Sequence, residues 1–295
     1  MDSFARARSF MSKAGIDAWV VYDFRGSNPV FGQLVPSKPE TTRRSFLIVP
    51  AGSEPILLVH SIERPGFEVT GIQCDTFDGW DAMIRQLRDV LAPCRRVAME
   101  YSPGGELPTM SWVDAGTWEL VSDLGVEVVS SADLFQAALA TWTAEGLQSH
   151  KEAVEMVAAV KDEAFEFARH TLASGKPLDE CDVQLFITSR FEALDLETDH
   201  DPIVAVNAHS ADPHYVPRPS NCSPIERGDW LLIDLWARKR QAESIFADMT
   251  WVGCAAPAVA DDVQEVFDIV AGARDLLVNE LASRMALGRD VEGWE

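Results

Sequence analysis

The sequence predicts an α+β protein of two domains: a small mixed α/β domain over 1–144 and a second over 145–295 that stops before it is complete. Three observations carry this reading. Strand-like runs alternate with helical segments in the first half, which is the pattern of a mixed α/β layer structure. At Glu145 the character changes to a long helical stripe. Three strand-length runs and a last helix follow it. A chain of 295 residues exceeds one ordinary core. With 47% hydrophobic residues, 9 Trp and 14 Phe, it has the apolar area for packed cores, which excludes a disordered or fibrous chain.

The first segment, Phe4 to Ala14, sets Phe4, Ala7, Phe10 and Met11 at helical spacing, and Gly15 ends it. Ile16 to Tyr22 reads as a buried strand. Arg43 to Val49 and Pro55 to Val59 are two more strands, parted by the turn cluster Pro50-Ala51-Gly52-Ser53. Trp80 to Leu91 is helical in pattern, whereas Arg96 to Met99 and Val126 to Val129 are strand-like. The domain closes over Asp133 to Ala144.

In the second half, Val154, Val157, Ala158, Phe165 and Ala168 repeat at helical spacing, with Lys151, Glu155, Lys161 and Asp162 on the other faces. Gly175-Lys176-Pro177 stops this helix. Asp179 caps the next one, whose apolar side carries Val183, Phe186, Ile187 and Phe191. Strands are expected at Pro202 to Val206, Trp230 to Trp236 and Ser244 to Val252, then a helix from Asp261 to Ala286. So few strands leave that last helix short of surface to pack on, so the sequence reads as stopping in mid-domain.

The formal net charge of −22 argues against a nucleic-acid partner, whose phosphates would be repelled, and against an anionic membrane surface. The N-terminus lacks the apolar core of a signal peptide, and the longest apolar runs are strand-length, so no membrane-spanning helix is expected. Cys74, Cys94, Cys181, Cys222 and Cys254 are scattered without metal-knuckle spacing and read as reduced thiols of a cytoplasmic protein.

Two strands each carry one acid within an apolar run: Asp234 in 228–236 and Asp248 in 245–251. A buried carboxylate must be protonated, paired with a cation or bound to metal. If the polar stretch Ala237 to Glu243 is a hairpin connection, the two carboxylates share one face and can bracket a divalent ion. A structural partner, such as a buried Arg or a backbone cap, is the competing account. Upstream, Asn207 to Pro217 is a loop with two histidines, His209 and His214, after a strand. Imidazole there can donate, accept or ligate, although two surface histidines in a turn are the commoner outcome.

Taken together, Asn at a strand end, Pro213-His214-Tyr215, Gly228-Asp229-Trp230-Leu231-Leu232-Ile233-Asp234 and Ala247-Asp248-Met249-Thr250 resemble the start of the pita-bread catalytic domain. That family includes Xaa-Pro aminopeptidases, prolidases, creatinases and methionine aminopeptidases. The order of elements is similar too, and a creatinase-like N-terminal domain before a long linking helix favours the aminopeptidase P, prolidase and creatinase branch. The resemblance implies Asp234 as the first metal-ligand aspartate, Asp248 as the bridging aspartate, and His214 as the histidine that contacts substrate. His209 has no firm counterpart and is a candidate rim residue. The family's remaining ligands, a histidine in a Gly-His-Gly-type segment and two glutamates, have no counterpart after Asp248; Glu265, Glu280 and Glu292 match none of them. Trp251 stands where many relatives carry Arg, and the link between the aspartates is longer than usual.

The implied activity is that of a metal-dependent aminopeptidase or dipeptidase of the Xaa-Pro type, with two divalent ions (Mn, Co or Zn) in the full-length parent. A peptide or dipeptide would be its substrate, and a homodimer is a further implication. Two aspartates alone offer too few oxygen donors for two ions, so this chain is expected to be a weakly active or inactive fragment. The alternatives are a creatinase-like C–N hydrolase working through His214 without metal, and a non-catalytic scaffold of the same fold.

Overall fold

The computed structural model describes residues 3–35, 37, 39–289 and 291. Its backbone divides into two compact units, Met1–Thr143 and Ala144–Glu295. Glu292, one of the downstream acids considered above, lies outside the described residues.

The first unit is built on strands β1 (Ala18–Phe24), β2 (Arg44–Pro50), β3 (Ile56–His60), β4 (Gln73–Phe77), β5 (Arg96–Met99) and β6 (Glu127–Ser130), in the order β4-β3-β2-β1-β5-β6. β2 runs antiparallel to both β1 and β3, while the β3–β4, β1–β5 and β5–β6 pairs are parallel. Helices cover both faces, so the central strands must be apolar on both sides. Trp19 and Val21 face helices α1 (Ser3–Ala14) and α2 (Pro29–Leu34) through Met11 and Phe31. Ala18, Val20 and Tyr22 face the opposite layer, where helices α4 (Trp80–Leu91) and α5 (Ala115–Ser122) contribute Met83, Leu87 and Val121. Two single-turn helices, α3 (Arg64–Phe67) and α6 (Ala132–Phe135), complete the unit by inserting Phe67 and Leu134. Both are too short to show a helical repeat, and α2, α5 and β4 likewise escape the sequence pattern.

A polar network crosses this core. The Glu100 carboxylate is fully buried and accepts from Trp19 Nε1 at 2.5 Å, Asn28 Nδ2 at 2.9 Å and Ser131 Oγ at 3.0 Å. None of these donors carries a charge, so loss of hydration outweighs the hydrogen bonds and raises the carboxyl to about 7. Asn28 also caps α2 at Val30 and donates to Tyr22 O, which joins the carboxylate to a helix start.

The second unit begins with helix α7 (Ala144–Ala173), followed by α8 (Glu180–Ala193), strands β7 (Leu196–Glu197), β8 (Ile203–Val206), β9 (Trp230–Lys239) and β10 (Ala247–Cys254), and helix α9 (Asp261–Ala286). β9 is the centre of the sheet. β10 pairs antiparallel along one edge; β8 and β7 pair antiparallel in succession along the other. The apolar stripe of α7 is Ala153, Val157, Val160, Ala164 and Ala168, and it packs with Val183, Ile187 and Phe191 of α8 and with Leu231, Ile233, Leu235 and Ala237 of β9. Two expectations for α7 are corrected. Val154 is exposed, one position off the stripe, and Lys161 is buried. The Lys161 ammonium lies 4.1 Å from the Trp251 ring centroid and 2.7 Å from Asp162, so its alkyl stem is covered while its charge keeps partners. Gly253 on β10 leaves room for the Phe165 ring, whose nearest carbon would stand 2.9 Å from an added Cβ.

Helix α9 coincides with the expected span but buries none of its residues; Val266, Ile269 and Leu276 are all exposed. Among the described residues no helix is long and apolar enough to cross a membrane. The cysteine expectation is corrected in part. Cys181 and Cys222 form a disulfide with their Cα atoms 6.0 Å apart, whereas Cys74, Cys94 and Cys254 are free. A pairing across 41 residues leaves no mark on local spacing.

Because the folded state holds Glu100 at a raised value, its neutral form is favoured, and the stability it supports is lost as pH climbs from about 4.5 through about 7. Melting of the wild-type chain should therefore show a loss between pH 5 and pH 8, on the order of 3 kcal/mol at most, that is absent in Glu100→Gln. Equal pH slopes for the two proteins would refute the assignment.

Candidate metal centre

The strict alternation of β9 decides where the aspartates point. Leu231, Ile233, Leu235 and Ala237 are buried on the helix side, so Asp234 must project from the opposite face with Leu232 and Trp236. Thr250 is the register partner of Asp234, and Asp248 the partner of Trp236. Asp248 is therefore a diagonal neighbour of Asp234 on the same face. Thr250 Oγ1 donates to Asp234 Oδ1 at 2.7 Å, which orients one carboxylate. Ile203 flanks Asp234 from β8.

The sequence suggested two buried carboxylates, and the structure corrects this. Asp234 is half-buried and Asp248 exposed. Partial desolvation and then the negative charge of Asp234 raise the Asp248 carboxyl above its ordinary value. Two hard oxygen donors on one face suit a divalent cation in kind. In number they fall short. Among the described residues no third His, Cys, Asp or Glu converges on them, and the one triad of such groups within reach of each other is Asp179, Cys181 and Cys222. Glu265 and Glu280, on α9, are exposed and remote in role.

His214 is not brought to the aspartates by any hydrogen bond or ion pair among the described residues. Its side chain is exposed, and its backbone N–H donates to Asp212 Oδ1 at 2.9 Å. The loop that carries it nevertheless borders their face. Val216, Pro217 and Arg218 line a cleft of about 450 Å³ together with Thr198, Asp199, His200 and Asp201. Asp199 Oδ1 accepts from Trp236 Nε1 at 2.6 Å, and Trp236 stands beside Asp234 on β9; that hydrogen bond is the main reason the Asp199 carboxyl is held below its ordinary value. Trp251 projects from the other face of β10, over Lys161, so it does not touch the aspartates' side of the sheet.

The residue that organises the loop is one the sequence reading passed over. Glu180, at the first position of α8, is fully buried and accepts four hydrogen bonds. The donors are Val206 N at 2.7 Å, His209 Nδ1 at 2.9 Å, Tyr215 Oη at 2.5 Å and Ser223 N at 2.8 Å. His209, the supposed rim residue, thus has its Nδ1 proton fixed by a carboxylate and its ring stacked on Tyr215, with centroids 4.2 Å apart. Burial, and then the Glu180 hydrogen bond, push the Tyr215 phenol up, so it stays a donor. Asn207 ties the same loop to β9: its Oδ1 accepts from Trp230 N at 2.9 Å and its Nδ2 donates to Asp229 at 2.8 Å. A signal for Glu180 did exist, since it falls three residues before Val183 on the apolar stripe of α8.

Residues 148–292 match the family model of metallopeptidase family M24. This part of the chain belongs to that family. The chain is similar in fold to a dipeptidase PepE from Mycobacterium ulcerans, at 19% identity and a TM-score of 0.64, over 88% of this chain and 66% of that one. It is similar to an X-Pro aminopeptidase from Thermotoga maritima at 20% identity and a TM-score of 0.60, over 93% and 71%. An X-prolyl aminopeptidase from Caenorhabditis elegans, described as a cytosolic enzyme with a di-nuclear active site, aligns at 18% identity and a TM-score of 0.60, over 89% and 42%. The chain thus spans about two thirds of the length of the first two structures and less than half of the third. No curated protein sequence matches it. The mixed α/β architecture with the pita-bread fold of the M24 neighbours agrees with the fold class expected from the sequence.

Removing the Glu180 carboxylate of the M24 segment strands four donors in a dry interior. Glu180→Ala should destabilise the second unit by about 3–5 kcal/mol, read from the midpoint of urea unfolding. A change below about 1 kcal/mol would mean that water or another acceptor replaces the carboxylate.

Proposed function

We propose that the chain is the N-terminal part of a metal-dependent peptidase of the Xaa-Pro aminopeptidase or prolidase type, acting in the cytoplasm on the first peptide bonds of small peptides. The observation that carries this reading is the pair Asp234 and Asp248, set on one face of the β9–β10 hairpin within a segment of metallopeptidase family M24. In this proposal a 1–144 creatinase-like domain precedes the front part of the catalytic domain. Asp234 and Asp248 would hold divalent ions such as Mn, Co or Zn, with Thr250 keeping the Asp234 carboxylate turned to the face. When bound, such ions supply Lewis acidity toward water and toward a peptide carbonyl. The cleft between 198–201 and 216–218 would take the peptide, with His214 at its edge as hydrogen-bond partner to the substrate.

Two carboxylates are fewer than half of the donors that a dinuclear centre of oxygen and nitrogen ligands requires. The 295-residue chain should therefore bind metal weakly and hydrolyse little. The competing readings are a metal-independent C–N hydrolase and a binding module of the same fold, neither of which needs the ions.

Calorimetric titration of the chain with Mn²⁺ separates the readings. Weak heats are expected, lost in both Asp234→Ala and Asp248→Ala; heats that persist in both variants would place the ions elsewhere and sink the peptidase site. Because Asp248 is exposed, its replacement by Ala should leave metal-free stability within about 0.5 kcal/mol by thermal melting, so lost heat would not be a folding artefact.

A further inference from the structure

We infer that Cys181 and Cys222 are a reversible thiol switch that fastens the loop carrying His209, His214 and Tyr215. The inference goes beyond the peptidase reading and does not depend on it.

The bond sits beside the one group that organises that loop. Cys181 follows Glu180 in the first turn of α8, and Cys222 precedes Ser223, whose N–H donates to the Glu180 carboxylate. The backbone flanking the two sulfurs is paired as well: Asp179 and Pro224 form an antiparallel bridge, Glu180 N donates to Ser223 O at 3.2 Å, and Ile225 N donates to Leu178 O at 2.8 Å. The disulfide therefore locks in place the far end of a segment whose near end, Val206, is bonded to the same carboxylate. His209 and Tyr215 lie between these two ends and complete the set of donors.

Three features favour a switch over a permanent staple. Both cysteines are half-buried, so a small thiol can reach them, and the three remaining cysteines are free. A chain with a majority of free thiols and one accessible pair resembles a redox-sensing arrangement more than a disulfide scaffold. The loop also keeps its own anchors when the bond is open, namely the Glu180 hydrogen bonds, the Asp179–Pro224 bridge and Asn207 on β9. Opening the bond thus releases the segment to local fluctuation rather than unfolding the unit. Closing it removes the loop-closure entropy of a chain segment whose ends are 41 positions apart, which raises the population of the arrangement in which the buried carboxylate orients His209.

The chemistry balances with a low-molecular-weight thiol as reductant. One thiolate attacks a protein sulfur, the Cys181–Cys222 bond breaks, and a mixed disulfide forms. A second thiol then releases the protein sulfur. In sum, the protein disulfide gains two electrons and two protons, and two small thiols become one small disulfide.

The test is amide hydrogen exchange on the intact chain, after equilibration with oxidised glutathione or with dithiothreitol, alongside a count of reactive thiols in denaturant. Three reactive thiols are expected in the oxidised chain and five in the reduced chain. Exchange over 206–225 should rise at least about tenfold on reduction, with β9, β10 and the first unit unchanged. The variant Cys181→Ser/Cys222→Ser should exchange as the reduced chain does under either condition. Five reactive thiols after oxidised glutathione, a disulfide that survives dithiothreitol, or equal exchange in the two states would each overturn the proposal. None of these readouts requires metal or peptidase activity, so their failure is distinct from failure of the functional reading.

Discussion

The second unit depends on the two-sidedness of one strand. β9 must bury Leu231, Ile233, Leu235 and Ala237 against α7 and α8, and the two-residue period of an extended chain then sends Asp234 to the other side. A slip of one residue would bury the acid and expose the aliphatic side chains, so the core itself enforces the position of the carboxylate. The hairpin register carries the constraint across to β10, where Asp248 is left on the same face as Asp234. Packing on one face thereby builds the electrostatics of the other.

A second constraint works at the end of β8. The Glu180 carboxylate lies out of water at the start of a helix and is tolerable there only because four donors meet it. Two of those donors are backbone N–H groups from either end of one loop, so satisfying the charge also shapes the loop. The same arrangement fixes the tautomer of His209 and keeps the Tyr215 phenol protonated. The Glu100 network in the first unit is a contrasting case. Burial outweighs its hydrogen bonds and raises its carboxyl to about 7, and its donors gather the core of the unit instead of a surface loop.

Much of this was legible in the sequence. The span of α4 and of α9, the cap at Asp179 and the hairpin between the aspartates follow from local periodicity and turn chemistry. Asp234 and Asp248 could be singled out because an acid inside an apolar strand is costly wherever it occurs. What failed was a matter of degree or distance. Their burial was overestimated, because an apolar run around an acid looks the same whether its second face is covered or open. Val154 and Lys161 exchanged roles because a stripe of Ala and Val along a 30-residue helix drifts by one position without any change in composition.

The sequence by itself determined the longer elements, the alternation that places two carboxylates on one face, and the family resemblance that the M24 match bears out. These are properties of neighbours along the chain, set by backbone geometry and by the hydrophobic period. Only the tertiary structure decided that Glu180 gathers partners 26 to 43 residues away and that Cys181 meets Cys222 across 41 residues. Tertiary structure likewise brings Lys161 to Trp251, which strand alternation has already turned away from the aspartates. Such contacts depend on how helix and sheet faces are brought together, and no local pattern encodes a partner that only folding supplies.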